Sequence, residues 1–399
     1  MRALNILLVA ALLSIAYTQI PNMCSTDASC PICNCAADMA CAGDIDPCSS
    51  CTTLLMSGGC DTLSSSTNVF RVSSCAIIEA GAEVRTLRVQ NNGDPVCVMI
   101  EEGATVRTLN FAASTADNCV FVNGEITRNA NFGSGNDCVF VSGRTSGAVN
   151  LGEGTNTATY YGGRATGTIS GGDELDCIKA LTDTTAAMEG SSLANVMFGQ
   201  GSGCLFAEGS AVNNVDGEGN DPNFIGLVDS TISSVTFTGM SDDGFSMIEG
   251  NVRSSSEIRM GAGSDKVFIE NAQVSGNIYL EGGDDDLSIG CSQIWNIMGG
   301  TENDCIDVFD STADEFNGGT LDGEAGDDEM IVSDSSLREI LGDAGDDELF
   351  DCNNVGANGV GQPTVDGGAD TDACSSDSAG TNLNCEGEGA MCPPPVVAP

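Results

Sequence analysis

The chain is 399 residues long, with 51 glycines, aromatic residues at only 5% and no histidine. Its formal net charge is −45, from 58 acids against 13 bases, so nucleic acid and anionic membranes are poor partners and cations, basic proteins or mineral surfaces are good ones. The charge is uneven: residues 1–172 hold 14 acids against 8 bases, and residues 173–399 hold 44 against 5.

The first segment, "MRALNILLVAALLSIAYTQIP", has one arginine, an apolar run from Leu4 to Ala16 and then polar residues. It reads as a secretory signal over 1–18, too short to span a bilayer. No later stretch is apolar enough for a membrane span, and "PPPVVAP" is too short for a lipid-anchor signal. Secretion makes disulfides the simplest use of the 20 cysteines. Cys24, Cys30, Cys33, Cys35, Cys41, Cys48, Cys51 and Cys60 crowd 37 residues, which predicts a disulfide-rich N-terminal cap over 19–67, with a metal knuckle at "CPICNC" as the alternative. There is no N-x-S/T acceptor for N-glycosylation.

Residues 68–372 repeat. Two faint units contain "AEVRTLRV" (82–89) and "ATVRTLNF" (104–111), which stack Arg85 on Arg107, balanced by Glu79, Glu83, Glu101 or Glu102. From residue 119 the units are clear: a short alternating run, a small-residue turn, a second alternating run, then a glycine–acid turn. Two residues beyond the closing position stand Val120, Val139, Ile178, Leu205, Phe245, Val267, Leu287, Ile306, Met330 and Leu349. Four residues beyond it stand Val122, Val141, Ile225, Met247, Ile269, Ile289 and Val308. Period-two alternation with one apolar face is the mark of a half-buried strand. A helical repeat is disfavoured by the glycine and β-branched content and by the lack of a 3.6-residue stripe. The expected fold is all-β, a right-handed parallel β-solenoid (β-roll or β-helix) of about 14 coils. A cysteine-containing C-terminal cap with a Pro-rich tail is expected over 373–399.

The closing column runs Asp137, Asn156, Asp176, Gly203, Asp221, Asp243, Asp265, Asp285, Asp304, Asp328, Asp347 and then Asp370 or Asp372. Stacked coils set these side chains about 4.8 Å apart. Two like charges that close cost about 1 kcal/mol in water and several at a partly buried site. Hydrogen bonds, protons or bridging cations must compensate them, and protonation of so many acids near neutral pH is not expected. Carbonyls of a glycine turn plus carboxylates of its neighbour would form an all-oxygen cage, which suits Ca²⁺ better than Mg²⁺ or zinc. The simpler alternative is a set of Asx-type turns held by backbone hydrogen bonds alone.

"GEAGDDEMI", "GDAGDDELF", "GAGSDKVFI" and "EGGDDDLSI" resemble the hemolysin-type (RTX) calcium repeat, G-G-x-G-x-D-x-U-x. The resemblance covers about 239–372, the calcium-type turns being strongest there. It implies a calcium-binding turn followed by a short strand of a right-handed β-roll. Carried over by position, it makes Asp243, Asp265, Asp285, Asp304, Asp328 and Asp347 metal ligands, with Asp137 and Asp221 matched in less context. The family alternates such turns on both edges every nine residues; here only one edge has them, so one row of ions is expected.

Cysteines directly after the closing position put Cys119 beside Cys138 and Cys177 beside Cys204, two expected disulfide rungs. Cys352, Cys374, Cys385 and Cys392 are expected to staple the C-terminal end. Phe121, Phe140, Phe206, Phe224, Phe268 and Phe350 share a nominally outward column, either an exposed association surface or rings tucked between coils. A polysaccharide lyase or hydrolase is the catalytic alternative, but histidine is absent, Lys179 and Lys266 are the two lysines, and the acid pairs belong to the repeat. The sequence thus points to a secreted, calcium-binding structural or adhesive protein of an extracellular matrix or surface coat, not an enzyme. Extracellular polysaccharide, a calcium mineral, basic proteins or further copies of itself are the expected partners.

Overall fold

The computed structural model describes residues 60–89, 93–182, 190–253, 256–313, 319–356, 363–376, 381–385 and 387–388. The signal segment, the clustered cysteines before Cys60, and Cys392 lie outside them. The chain forms two compact units, 1–226 and 227–399.

Each unit is a parallel β-solenoid in which every coil gives strands to two sheets. In the first unit the first sheet stacks Cys75–Ile78, Cys97–Ile100, Cys119–Val122, Cys138–Val141, Asn156–Tyr161, Asp176–Leu181 and Gly203–Glu208, each in parallel register with the next. In the second unit it stacks Gly244–Ile248, Lys266–Glu270, Asp286–Gly290, Cys305–Phe309, Glu329–Ser333, Glu348–Cys352 and Ala373–Ser376. Parallel pairing begins before residue 68, at Asp61–Leu63, and continues beyond Asp372.

The apolar columns two and four residues past the closing position point inward. Val120, Val139, Ile178 and Leu205 are buried in the first unit, and Phe245, Val267, Leu287, Ile306, Met330 and Leu349 in the second. Fully burying a side chain of this size contributes roughly 1.5–3 kcal/mol, so each coil is held mainly by the coils beside it.

The second sheet departs from strict alternation. Its inward residues stand three apart, as in Val84 and Leu87, Leu193 and Val196, Ile232 and Val235, or Ile294 and Ile297. The strand turns a corner between them, which the period-two reading did not anticipate. Register slips at the same place between Ala165 and Thr168.

Three side-chain expectations resolve here. The phenylalanine column is split: Phe206, Phe268 and Phe350 are buried, while Phe121, Phe140 and Phe224 are half-buried, Phe121 lying 6.2 Å from Phe140. Arg85 and Arg107 are stacked in register, but none of the ion pairs among the described residues joins them to the expected glutamates.

The expected rungs Cys119–Cys138 and Cys177–Cys204 are not formed. Cys138, Cys177 and Cys204 stand as buried thiols, while Cys119 is a half-cystine. The cysteine row begins earlier than the sequence reading placed it, with Cys60, Cys75 and Cys97 packed in the same cluster. Cys60 bonds Cys75, and Cys97 and Cys119 are both oxidised, with Cys138 packed in the same row. At the other end Cys374 bonds Cys385.

Candidate metal centre

The closing residues form one buried file along an edge of each unit. Asp137, Asn156 and Asp176 are fully buried in the first unit, as are Asp243, Asp265, Asp285, Asp304, Asp328, Asp347 and Asp372 in the second. Asp221 is not among them. It is exposed, and Asn223 takes the position, accepting from the Gly203 amide at 3.0 Å. The reason is alternation: Ile225 and Leu227 are the inward residues of the next strand, so the residue two before Ile225 closes the turn. The last member is Asp372, whereas Asp370 is exposed.

Backbone donors supply half of the compensation. The amide of Asp243 donates to Asp265 Oδ1 at 2.6 Å, and that of Asp265 to Asp285 Oδ1 at 2.6 Å. The ladder continues from Asp285 to Asp304, Asp304 to Asp328, Asp328 to Asp347 and Asp347 to Asp372, at 2.8–3.1 Å. A second ladder runs the opposite way through the exposed preceding residue: the amides of Asp327 and Asp346 donate to Asn303 Oδ1 and Asp327 Oδ1, both at 2.9 Å. Each turn is therefore tied to the coil on either side, as the Asx-turn alternative requires.

The other carboxylate oxygen is not compensated. Oδ2 of Asp137, Asp265, Asp285, Asp304, Asp328, Asp347 and Asp372 is buried without a hydrogen-bond partner. Burial pushes Asp137, Asp265, Asp285, Asp304, Asp328 and Asp347 above the usual carboxylate range, with neighbouring aspartates adding to the effect in the second unit. Asp265 rises to about 9, Asp285 to about 8, Asp304 and Asp328 to about 7, and Asp347 to about 6. In the first unit Asp137 rises to about 7 and Asp176 to about 6, again chiefly through burial. An unpaired buried carboxylate is too costly to keep, so each must be neutralised by a proton or a cation.

The residue five before the closing aspartate divides the file. Parallel register aligns Met260, Leu280, Gly299, Gly323, Gly342 and Gly367 in one column. A Cβ on Gly323 would lie 2.3 Å from Asp328 Oδ2 and 3.1 Å from the Gly342 carbonyl oxygen. On Gly299 it would meet Asp304 Oδ2 at 2.5 Å and the Gly323 carbonyl at 2.7 Å; on Gly342, Asp347 Oδ2 at 2.3 Å and the Gly367 carbonyl at 2.5 Å. Three successive coils thus leave a cradle faced by one carboxylate and one carbonyl oxygen. Beside Asp265 and Asp285 the column carries the buried side chains of Met260 and Leu280 instead.

The interruptions follow from packing. Asn156 keeps the ladder without charge, its amide nitrogen donating to Asp176 Oδ1 at 2.9 Å and to the Gly154 carbonyl at 2.7 Å. At Gly203, the Phe198 ring fills the space of the missing side chain, since a Cβ there would lie 1.9 Å from it. The buried ladder of the opposite edge contains no carboxylate. The amides of Ser292 and Ser311 donate to Ser311 Oγ at 3.2 Å and Ser335 Oγ at 3.0 Å, and that of Ser335 donates to Asn354 Oδ1 at 2.7 Å.

Among the described residues, no group of three or more His, Cys, Asp or Glu side chains converges as a metal cluster. Each cradle offers one carboxylate oxygen and backbone carbonyls, so side chains alone would not complete a shell. The glycine five before the aspartate is the signal in the sequence that marks these cradles.

No family model and no curated relative matches the chain. One solved structure is similar: the X-ray crystal structure of a hyperactive, Ca²⁺-dependent, beta-helical antifreeze protein from an Antarctic bacterium. Its TM-score is 0.38 at 18% identity, covering 79% of this chain and 86% of that one. A likeness this distant carries no argument about the present site.

Proposed function

We propose that this chain is a secreted structural solenoid of an extracellular matrix or surface coat, stabilised by calcium along one edge of the 227–399 unit. The observation that supports it is the run of glycine cradles beside Asp304, Asp328 and Asp347, each pairing an orphaned buried carboxylate oxygen with a carbonyl of the next coil. Such hard, all-oxygen donors suit Ca²⁺, with water and further carbonyls making up its six to eight ligands. When bound, the ion supplies the positive charge that the buried file lacks. The RTX-like spacing of the same turns is consistent with this reading, although the opposite edge is a serine ladder.

Asp265 and Asp285 are read differently. Their cradle column is filled by Met260 and Leu280, and their carboxyls are pushed furthest up. They are neutral acids in this proposal, held by the backbone ladder. Asp243 and Asp137 remain candidates with no cradle glycine, Thr238 and Phe132 standing five before them.

Titration calorimetry tests the reading, with far-UV circular dichroism in calcium and in EGTA. About three ions should bind per chain, and chelation should lower the melting of the 227–399 unit while leaving the 1–226 unit folded. No heat on adding millimolar calcium, together with identical melts in EGTA, would overturn it.

A further inference from the structure

A depression on the second sheet of the 227–399 unit is lined by Trp295, Asn296, Met298, Thr320, Asp322 and Arg338. These residues come from three successive coils, with Met298 beside Asp322 and Thr320 beside Glu339 in parallel register. Strand spacing makes the depression about 10 Å long across the coils.

We infer that this depression binds a neutral saccharide chain. Sugar rings present apolar C–H faces rimmed by hydroxyls, and they need an aromatic face with donors and acceptors set around it. Trp295, the single tryptophan of the chain, is half-buried here and Met298 extends its apolar surface. A tryptophan in contact with water is the side chain that gains most from covering an apolar face while its N–H bonds a polar rim.

The polar rim is held in place by its own contacts. Asn296 Oδ1 accepts from the Thr320 amide at 3.2 Å, and its amide nitrogen donates to Asn277 Oδ1 at 3.2 Å. Arg338 Nη2 donates to Thr320 Oγ1 at 2.8 Å and to Glu339 Oε2 at 2.9 Å, which leaves Nε and Nη1 to donate outward. Asp322 Oδ1 accepts from the Glu324 amide at 3.2 Å, and Asp322 lines the depression. A guanidinium and a carboxylate on adjacent coils supply a donor and an acceptor for neighbouring hydroxyls.

Charge selects the class of sugar. Arg338 is already paired with Glu339, and Asp322 faces the same space. A uronate or sulfated chain would meet these carboxylates and the −45 field of the whole protein, whereas a neutral glycan would not. The inference does not depend on whether calcium occupies the turn file.

The single tryptophan makes the test direct. The full chain in calcium is titrated with cellohexaose, xylohexaose, laminarihexaose and chitohexaose, with oligogalacturonate as the anionic control, while Trp295 emission is followed. At least one neutral oligosaccharide should give a saturable change that oligogalacturonate does not. In affinity electrophoresis on the matching polysaccharide, Trp295→Ala should lose retention by about tenfold or more. Arg338→Ala, an exposed site that keeps the fluorophore, should weaken the titration with an unchanged circular dichroism spectrum. The inference is overturned by no emission change with any neutral oligosaccharide, by a response to oligogalacturonate alone, or by full retention of either variant.

Discussion

Gly323 and Asp328 share one small volume, and neither residue makes sense without the other. A Cβ on Gly323 would sit 2.3 Å from Asp328 Oδ2, so Gly323→Ala must push the carboxylate away or tilt the coil. The expected cost is about 1–3 kcal/mol in urea unfolding, with one calcium fewer by calorimetry. Leu280, which holds the same column beside Asp285, already carries the side chain that Gly323 cannot. Asp265 and Asp285 should therefore answer to protons more than to metal. Asp265→Asn keeps an acceptor for the Asp243 amide and replaces a neutral acid with a neutral amide, so the variant should bind as many calcium ions as the parent. Asp328→Asn should bind one fewer, and equal stoichiometry in all three proteins would refute the division of the file.

At the scale of the coil, the two turns solve the same problem with different chemistry. Both tuck a short polar side chain beneath the next coil's backbone, where it caps an amide that the sheet ladders leave unpaired. One edge uses aspartate. The other uses serine or asparagine after a residue in the left-handed region, such as Asp310 at φ 49° or Asp334 at φ 50°. A hydroxyl leaves no charge behind, so that edge needs no cation. Ser311→Ala would orphan the buried Ser292 amide, and a loss of about 1–3 kcal/mol is expected from chemical denaturation. Calcium affinity should not change, because the serine ladder lies on the opposite edge.

At the scale of the whole molecule, the raised carboxyls make stability depend on pH in a definite direction. In an unfolded chain an aspartate titrates near 3.9, whereas Asp265 and Asp285 titrate at about 9 and about 8 when folded. The folded state holds the proton more tightly, so their contribution is complete in acid and is lost as pH rises through the folded values. In EGTA the melting temperature of the 227–399 unit should fall steadily from about pH 4 to about pH 9. Asp265→Asn should flatten part of that fall. A calcium-free melting temperature that climbs over the same range would show that these carboxyls are solvated.

Local pattern carried much of this protein into view before any coordinates. Alternation of apolar residues after each glycine–acid turn placed Val120, Val267, Leu287 and Ile306 in the core, because side-chain direction in a strand depends only on parity along the chain. The same parity nominally turned Phe206, Phe268 and Phe350 outward, yet coil-on-coil packing buries them. It also could not fix where a coil closes when its length varies, so Asp221 stood in the place that Asn223 occupies. Pairing among Cys60, Cys75, Cys97, Cys119 and Cys138 was hidden for a related reason: stacking order, not spacing in the chain, decides which sulfurs meet. Above all, composition could count the acids but not the room beside them. Whether an aspartate faces an open glycine or a leucine depends on register across coils some twenty residues apart, and only the assembled stack sets that.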